Sequence, residues 1–314
     1  MGKRLLALGV GLGLLASALA GQAGKSPVKV FILAGQSNME GQGIIKPNAA
    51  MLKKNGGKGT LEWLVKNPAT AAFCKHIVDP QGNWVVRHDV WIWYLGRRGP
   101  LTVGYGARKD KIGPEFQLGH VLGDFFDNQI LLIKTAWGGK SLAKDFRPPS
   151  SGGQVGPYYK KMLELVREVL ANLKELFPDY DGGGYEIAGF GWHQGWNDGC
   201  SAPAVAEYEK NMANFIRDVR KDLGVPRLPF VIANSGFGGW KQRVGRRLGV
   251  VKAQAAVVEY PEFKGNVICV ETRDFFRPPE DSPTRFGYHW NHNAETYFRI
   301  GDAMGKAMIK LLRR

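Results

Sequence analysis

Short aliphatic runs and helix-periodic stretches take turns along most of this chain. The strand-like runs, aliphatic or mixed with aromatics and glycine, cover 28–34, 129–135, 185–192, 229–233 and 265–271. In the first of them, only Lys29 interrupts the apolar residues. Near-continuous runs of this kind fit strands buried on both faces of a parallel sheet. Between them the apolar spacing is helical. Met162, Leu163, Leu165, Val166, Val169, Leu170 and Leu173 fall on one face of a segment running from 156 to about 176. Further helices are predicted over 115–126, 204–223, 249–258 and 293–312. Pro114 and Pro157 suit a first helical turn. The closing Arg313-Arg314 suits the negative end of the last helix. Five strands alternating with helices predict an α/β fold, a three-layer α/β/α sandwich around a mostly parallel five-stranded sheet.

Two segments break the rhythm. The first 23 residues begin with Lys3 and Arg4, continue through apolar Leu5 to Ala16, and end in small residues around Ala18-Leu19-Ala20 and Gly21-Gln22-Ala23. This is the pattern of a secretory signal peptide, so the mature chain is expected to be exported, periplasmic or extracellular. The run is shorter than the ~20 residues of a membrane span, and no stable membrane insertion is expected after cleavage. The second segment, 44–113, has weak periodicity, turn pairs at Gly56-Gly57, Asn67-Pro68 and Asp79-Pro80, and a cluster of aromatics at Trp84, Trp91, Trp93 and Tyr94. It reads as an insertion with short strands or a hairpin inside a single domain, 24–314.

With 43 Lys and Arg against 28 Asp and Glu, the formal charge is +15. Such a balance leans toward anionic partners. The basic residues are scattered in short groups and not interleaved with aromatics, so no nucleic-acid module is read. Cys74, Cys200 and Cys269 show no metal-type spacing and allow at most one disulfide, with Cys74–Cys200 open. Cys269 lies in an apolar run and is expected to be buried.

The polar residues that follow the strands carry the candidate chemistry. The first run ends in Gly35-Gln36-Ser37-Asn38-Met39. A serine there sits at the carboxyl edge of the sheet, where open α/β folds place their sites. A serine hydroxyl needs a base and oxyanion donors to act as a nucleophile. His193 ends the third strand, while His289 and His292 lie between the last strand and the last helix, a loop that converges on the same edge.

The blocks Gly35-Gln-Ser-Asn-Met39, Ile112-Gly-Pro-Glu115, Thr135-Ala-Trp-Gly-Gly-Lys-Ser141, His193-Gln-Gly-Trp-Asn-Asp198 and Tyr288-His-Trp-Asn-His-Asn-Ala-Glu295 occur in order. On these the chain, from about 28 to its end, resembles SGNH-type hydrolases of the sialate O-acetylesterase and acetylxylan esterase (carbohydrate esterase family 6) group. The resemblance implies a flavodoxin-like fold and a serine esterase that needs no metal or organic cofactor. Ser37 is then the nucleophile and His289 the base, with His292 as competitor. The Ser37 N–H, Gly138 or Gly139, and the Gln194 amide form the oxyanion hole. Gln36, Asn38, Trp137, Trp196 and Asn197 are candidate substrate contacts, and 44–113 covers one rim of the site. An acetylated carbohydrate, anionic or neutral, is the implied substrate. Two departures stand out. The acid of the family's Asp-x-x-His pattern is replaced by Phe286, and Trp196 stands where many relatives have Glu. Glu271, Asp274, Glu280 or Asp281 is left to orient the base, or a backbone carbonyl completes a Ser–His dyad. The departures also leave open a weakly catalytic glycan-binding protein; a lipid or thioester acyl hydrolase is a further alternative, and a His-x-x-His metal pair is a minor one.

Overall fold

The computed structural model describes residues 26–313, so the signal-peptide reading of 1–23 lies outside the described residues. Nine strands occur among them: β1 (Val28–Gly35), β2 (Gly43–Ile44), β3 (Arg87–Tyr94), β4 (Arg97–Leu101), β5 (Lys111–Ile112), β6 (Ile130–Ala136), β7 (Tyr185–His193), β8 (Phe230–Ala233) and β9 (Val267–Val270). Seven form the central sheet in the order β4-β3-β6-β1-β7-β8-β9. Every neighbouring pair is parallel except β3 and β4.

The unbroken apolar character of β1 follows from its central place. Val30 and Ile32 face one core, with Met162, Val166 and Phe215 from the Pro157–Ala171 and Ala202–Asp222 helices. Phe31 and Leu33 face the other, with Leu118, Leu122, Ile300 and Met304 from the Pro114–Gly123 and Ala294–Leu312 helices. Both faces are covered, which makes the three-layer sandwich.

The sheet has seven strands where five were expected. The two extra ones come from 44–113. β3 pairs parallel to β6, and β4 folds back antiparallel as the edge. The five residues Val90 to Tyr94 are fully or almost fully buried, but three polar residues precede them and hide the run. Pro100 sits in the edge strand, where a missing N–H is tolerated. The remainder of the segment forms three short helices and the β2–β5 pair, packed as a small core against Phe116 and Phe298.

All three cysteines carry free thiols, so the Cys74–Cys200 bridge does not form. Cys74 is buried in the small core of the 44–113 segment, whereas Cys200 is exposed on the loop after β7. Cys269 is half-buried, not buried as expected, because its strand β9 is itself an edge of the sheet and is incompletely covered. No helix among the described residues is long and apolar enough to cross a membrane.

One buried ion pair ties the sheet to the neighbourhood of the serine. Lys134 on β6 lies 3.0 Å from Glu115, both fully buried. Its ammonium also donates to the Glu40 and Tyr105 carbonyls. Burial pushes the Lys134 pKa down and that of Glu115 up, and their mutual attraction opposes both shifts. Removing one partner of such a pair leaves an uncompensated buried charge. Lys134→Met is therefore expected to cost about 3–5 kcal/mol, read from the urea unfolding midpoint. An unchanged midpoint would show that the pair contributes nothing to the fold.

Candidate active site

β1 stops where its sequence forces it to. Gly35 has φ +150°, and a Cβ there would lie 2.2 Å from the His193 carbonyl oxygen on β7. Only glycine allows the two strand ends to approach this closely. Ser37 follows at once, in the first turn of the short Ser37–Glu40 helix, and is 7% exposed. Gly35→Ala is expected to push the serine turn away from β7, lowering both stability and any hydrolytic rate. Thermal melting and turnover, measured together, check this.

The base arrives from the far end of the chain. His289 Nε2 lies 3.1 Å from Ser37 Oγ. His292 Nε2 lies 3.3 Å from His289 Nδ1, and Thr284 Oγ1 lies 3.3 Å from His292 Nδ1. Proton placement along this line follows from the first contact. For His289 Nε2 to accept the serine proton, Nδ1 must carry hydrogen and donate to His292 Nε2. His292 then carries its hydrogen on Nδ1 and donates to Thr284. Burial, helped by the Lys111 charge, lowers both imidazole pKa values to about 4. Both rings are neutral near pH 7.

This geometry rests on an unusual backbone. Trp290, Asn291 and His292 all have φ between +50° and +58°. Three consecutive non-glycine residues in the left-handed region store strain of about 1–3 kcal/mol each. Surrounding contacts hold them. Asn38 Nδ2 donates to the Tyr288 carbonyl at 3.0 Å, and the Tyr297 hydroxyl donates to Asn38 Oδ1 at 2.6 Å. The Thr284 N–H donates to the Asn291 carbonyl. Trp290 is buried against Phe237.

The side chains anticipated as oxyanion donors and substrate contacts divide. Gly138 and Gly139 form an exposed turn after β6, and Gly138 lies close to Ser37 Cβ. Among the described residues, neither the Ser37 nor the Gly139 N–H donates to a protein acceptor. Glu40 sits against Gly138, whose N–H bonds its carboxyl. A charged carboxylate there would oppose an oxyanion, but burial, the largest influence, pushes the Glu40 pKa up. The Tyr94 hydroxyl donates to it at 3.1 Å. Glu40 and Tyr94 were missed as site residues. The lysine inside an aliphatic strand, Lys134, was the available signal that something polar lay beneath.

Gln194 does not offer its amide to the serine. Both its N–H bonds are taken, by the Lys140 carbonyl and Asp198 Oδ2, and Tyr208 donates to its Oε1 at 2.9 Å. It braces the loop after β7 instead. Gln36 does likewise: it is buried, and its Oε1 accepts from the Gly195 and Asn197 N–H groups. Asn38 is fully buried and holds the base loop, so neither amide is a substrate contact in this arrangement. Trp137 is half-buried against Tyr158 and Phe146. Asn197 donates to the Gly139 carbonyl at 2.8 Å, and Trp196 remains partly exposed.

None of the four anticipated acids is hydrogen-bonded to His289. Glu271 pairs with Arg273, Asp274 accepts from the Trp240 indole, Asp281 pairs with Lys58, and Glu280 is exposed. The loop's left-handed turn brings His292 to Nδ1 in their stead. Among the described residues, no three His, Cys, Asp or Glu side chains gather as a metal ion would need.

Several solved structures share the fold. An Arabidopsis thaliana protein matches with TM-score 0.58 at 18% identity, covering 90% of this chain and 98% of its own. NanS matches with TM-score 0.56 at 15% identity, covering 92% and 99%. A carbohydrate acetylesterase from Xanthomonas citri matches with TM-score 0.52 at 15% identity over 89% of this chain, which spans 55% of that longer protein. No curated protein matches in sequence. Compared with protein families, residues 27–310 match the carbohydrate esterase family described as sialic acid-specific acetylesterase. Since that match spans nearly all of the described chain, the protein belongs to this family of carbohydrate esterases and is a carboxylic ester hydrolase.

Proposed function

We propose that the chain is an exported serine esterase that removes O-acetyl groups from a carbohydrate. The observation that carries the reading is the line Ser37–His289–His292, with contacts of 3.1 and 3.3 Å, beside an exposed glycine turn. Ser37 Oγ attacks the acetyl carbonyl carbon while its proton passes to His289 Nε2. The carbonyl electrons move onto oxygen, which the Ser37 and Gly139 N–H groups stabilise, joined by Gly138 if Glu40 releases it. His289 then gives its proton to the departing sugar oxygen, leaving an acetyl-serine. Water attacks that ester, loses its proton to His289, and acetate leaves as Ser37 recovers the proton.

His292 is a positioning residue in this scheme. It holds the His289 ring in the tautomer that exposes Nε2, a task usually given to a carboxylate. A neutral imidazole stabilises the imidazolium less than an aspartate would, so a modest kcat is expected. Export rests on the charged, apolar and small-residue order of 1–23. The esterase reading is tested by acetate release from O-acetylated saccharides, compared with butyryl and longer acyl esters. Preference for long acyl chains would reject the acetyl assignment.

A further inference from the structure

Against the glycine turn that borders Ser37 lies a carboxyl group that no ion pair claims among the described residues. Glu40 follows Ser37 by three residues on the same short helix, so both side chains leave one face of it. A Cβ on Gly138 would lie 3.3 Å from Glu40 Oε2 and 4.0 Å from Ser37 Cβ. The cations around Glu40 are engaged elsewhere. The Lys134 ammonium has three hydrogens, and they go to Glu115, the Glu40 backbone carbonyl and the Tyr105 carbonyl. Lys111 donates to the Gln42 side chain, and Arg97 to the Gly104 and Gly106 carbonyls.

The partners Glu40 does have suit a neutral acid. They are the Gly138 N–H and the Tyr94 hydroxyl. Tyr94 is buried, and its hydroxyl also lies 3.4 Å from the Ala136 carbonyl oxygen. A carbonyl oxygen only accepts, and the tyrosine has one hydrogen to give. Tyr94 donates to ionised Glu40; when Glu40 carries a proton the roles reverse. Glu40 then donates to Tyr94, Tyr94 donates to Ala136, and Gly138 donates to the other Glu40 oxygen. Both carboxyl oxygens are satisfied without a charge. Burial acts in the same direction, pushing the Glu40 pKa up against the pull of Tyr94, Lys134, the Gly138 N–H and Lys111. The other ionisable groups that face the Glu40–Tyr94 pair are Arg97 on β4, Glu115 on the Pro114–Gly123 helix and Tyr297 on the Ala294–Leu312 helix.

We propose that Glu40 is a positioning residue for the oxyanion hole: as a neutral carboxylic acid it holds the Gly138–Gly139 turn against Ser37 and leaves the Gly139 N–H free for the oxyanion. Gly138 stays bonded to Glu40 throughout, and the oxyanion falls to the Ser37 and Gly139 N–H groups. Ionised Glu40 keeps the Gly138 contact but sets a negative charge beside the developing one, which raises the barrier. An apolar site can keep a carboxylic acid neutral at pH 7 beside a developing oxyanion. The role in turnover rests on the esterase reading, whereas the proton on Glu40 can be followed without it.

The test is kcat on p-nitrophenyl acetate across about pH 4–9, corrected for uncatalysed hydrolysis. The active form of Glu40 is the protonated one, so wild-type kcat should fall by about 10- to 100-fold as pH rises through the Glu40 pKa. Glu40→Gln keeps the shape and both hydrogen bonds but cannot ionise. It should match the wild type on the acid side and abolish the alkaline fall. Glu40→Ala removes the contact to the turn and should lower kcat by about 10- to 100-fold at every pH, with little change in KM. Circular dichroism and melting verify both folds, and the Gln profile carries the test should the Ala variant fail to fold. Coincident pH profiles for wild type and Glu40→Gln, or equal losses in the Gln and Ala variants, overturn the assignment. Carboxyl-carbon NMR of glutamate-labelled Ser37→Ala, assigned by adding Glu40→Gln, follows the same proton without turnover. Titration of Glu40 at or below the ordinary 4.5 overturns the proposal as well. Titration above that value, with no hydrolysis by the wild type at any pH, would instead overturn the esterase reading alone.

Discussion

Ser37→Ala is expected to lower kcat/KM on acetyl esters by about 10⁴- to 10⁶-fold, the loss seen when a nucleophile that acts as a unit with its base is removed. Nothing near Ser37 replaces its hydroxyl. Asn38 and Gln36 are buried and committed to other contacts. The substitution deletes one oxygen and one short contact to His289, so the fold should survive with an unchanged melting temperature. Activity on p-nitrophenyl acetate, measured for both proteins, checks it. Equal rates above the uncatalysed background would place the chemistry elsewhere.

The second large effect concerns His292, and its sign follows from the imidazole pKa. Burial, then the Lys111 charge, lowers the His289 pKa to about 4. A general base works when unprotonated, so the acid limb of kcat/KM should fall near pH 4 and not near the usual 6.5. At position 292, φ is +58°. Asn and Asp tolerate this conformation better than most residues, which makes them a matched pair differing in charge. His292→Asn should lower kcat by about 10- to 100-fold, a part of the ~10²–10⁴ that proton transfer contributes, and leave the acid limb low. His292→Asp places a negative charge toward Nδ1, which favours the imidazolium. The acid limb should then move up toward or beyond 6.5, and kcat should exceed that of the Asn variant. A structural role alone would lower both variants alike and leave the pH profile unmoved. Coincident profiles for Asn and Asp would therefore remove His292 from the proton line.

Much of the scaffold was legible because burial on both sheet faces writes itself as aliphatic runs. β1, β6, β7, β8 and β9 lie within or close to the predicted segments, and the five main helices differ at their ends by a few residues. The β3–β4 hairpin escaped because Arg87, His88 and Asp89 open β3 and an edge strand such as β4 can remain polar. The motif blocks also put Ser37 and His289 at the same sheet edge, since both follow strand ends.

Other assignments failed for a common reason. Gln36, Asn38 and Gln194 are polar and adjacent to the site, so sequence favours them as contacts or donors. Their fate depends on who else needs a partner. In the fold, the Gly195 N–H, the Tyr288 carbonyl and Asp198 claim them first.

By itself, then, the sequence determined the α/β order, the strand-end location of the serine, and the family to which its motifs point. These depend on periodicity and local turn chemistry, which are properties of neighbouring residues. Only the tertiary structure decided what stands behind the base. Glu271, Asp274, Glu280 and Asp281 are all closer to β9 in sequence than His292, yet none reaches His289. Three left-handed residues turn the chain so that His292 does. The energy that holds this turn comes from Asn38, Tyr297 and the surrounding core, partners up to 259 residues apart, and no local pattern records such distant support.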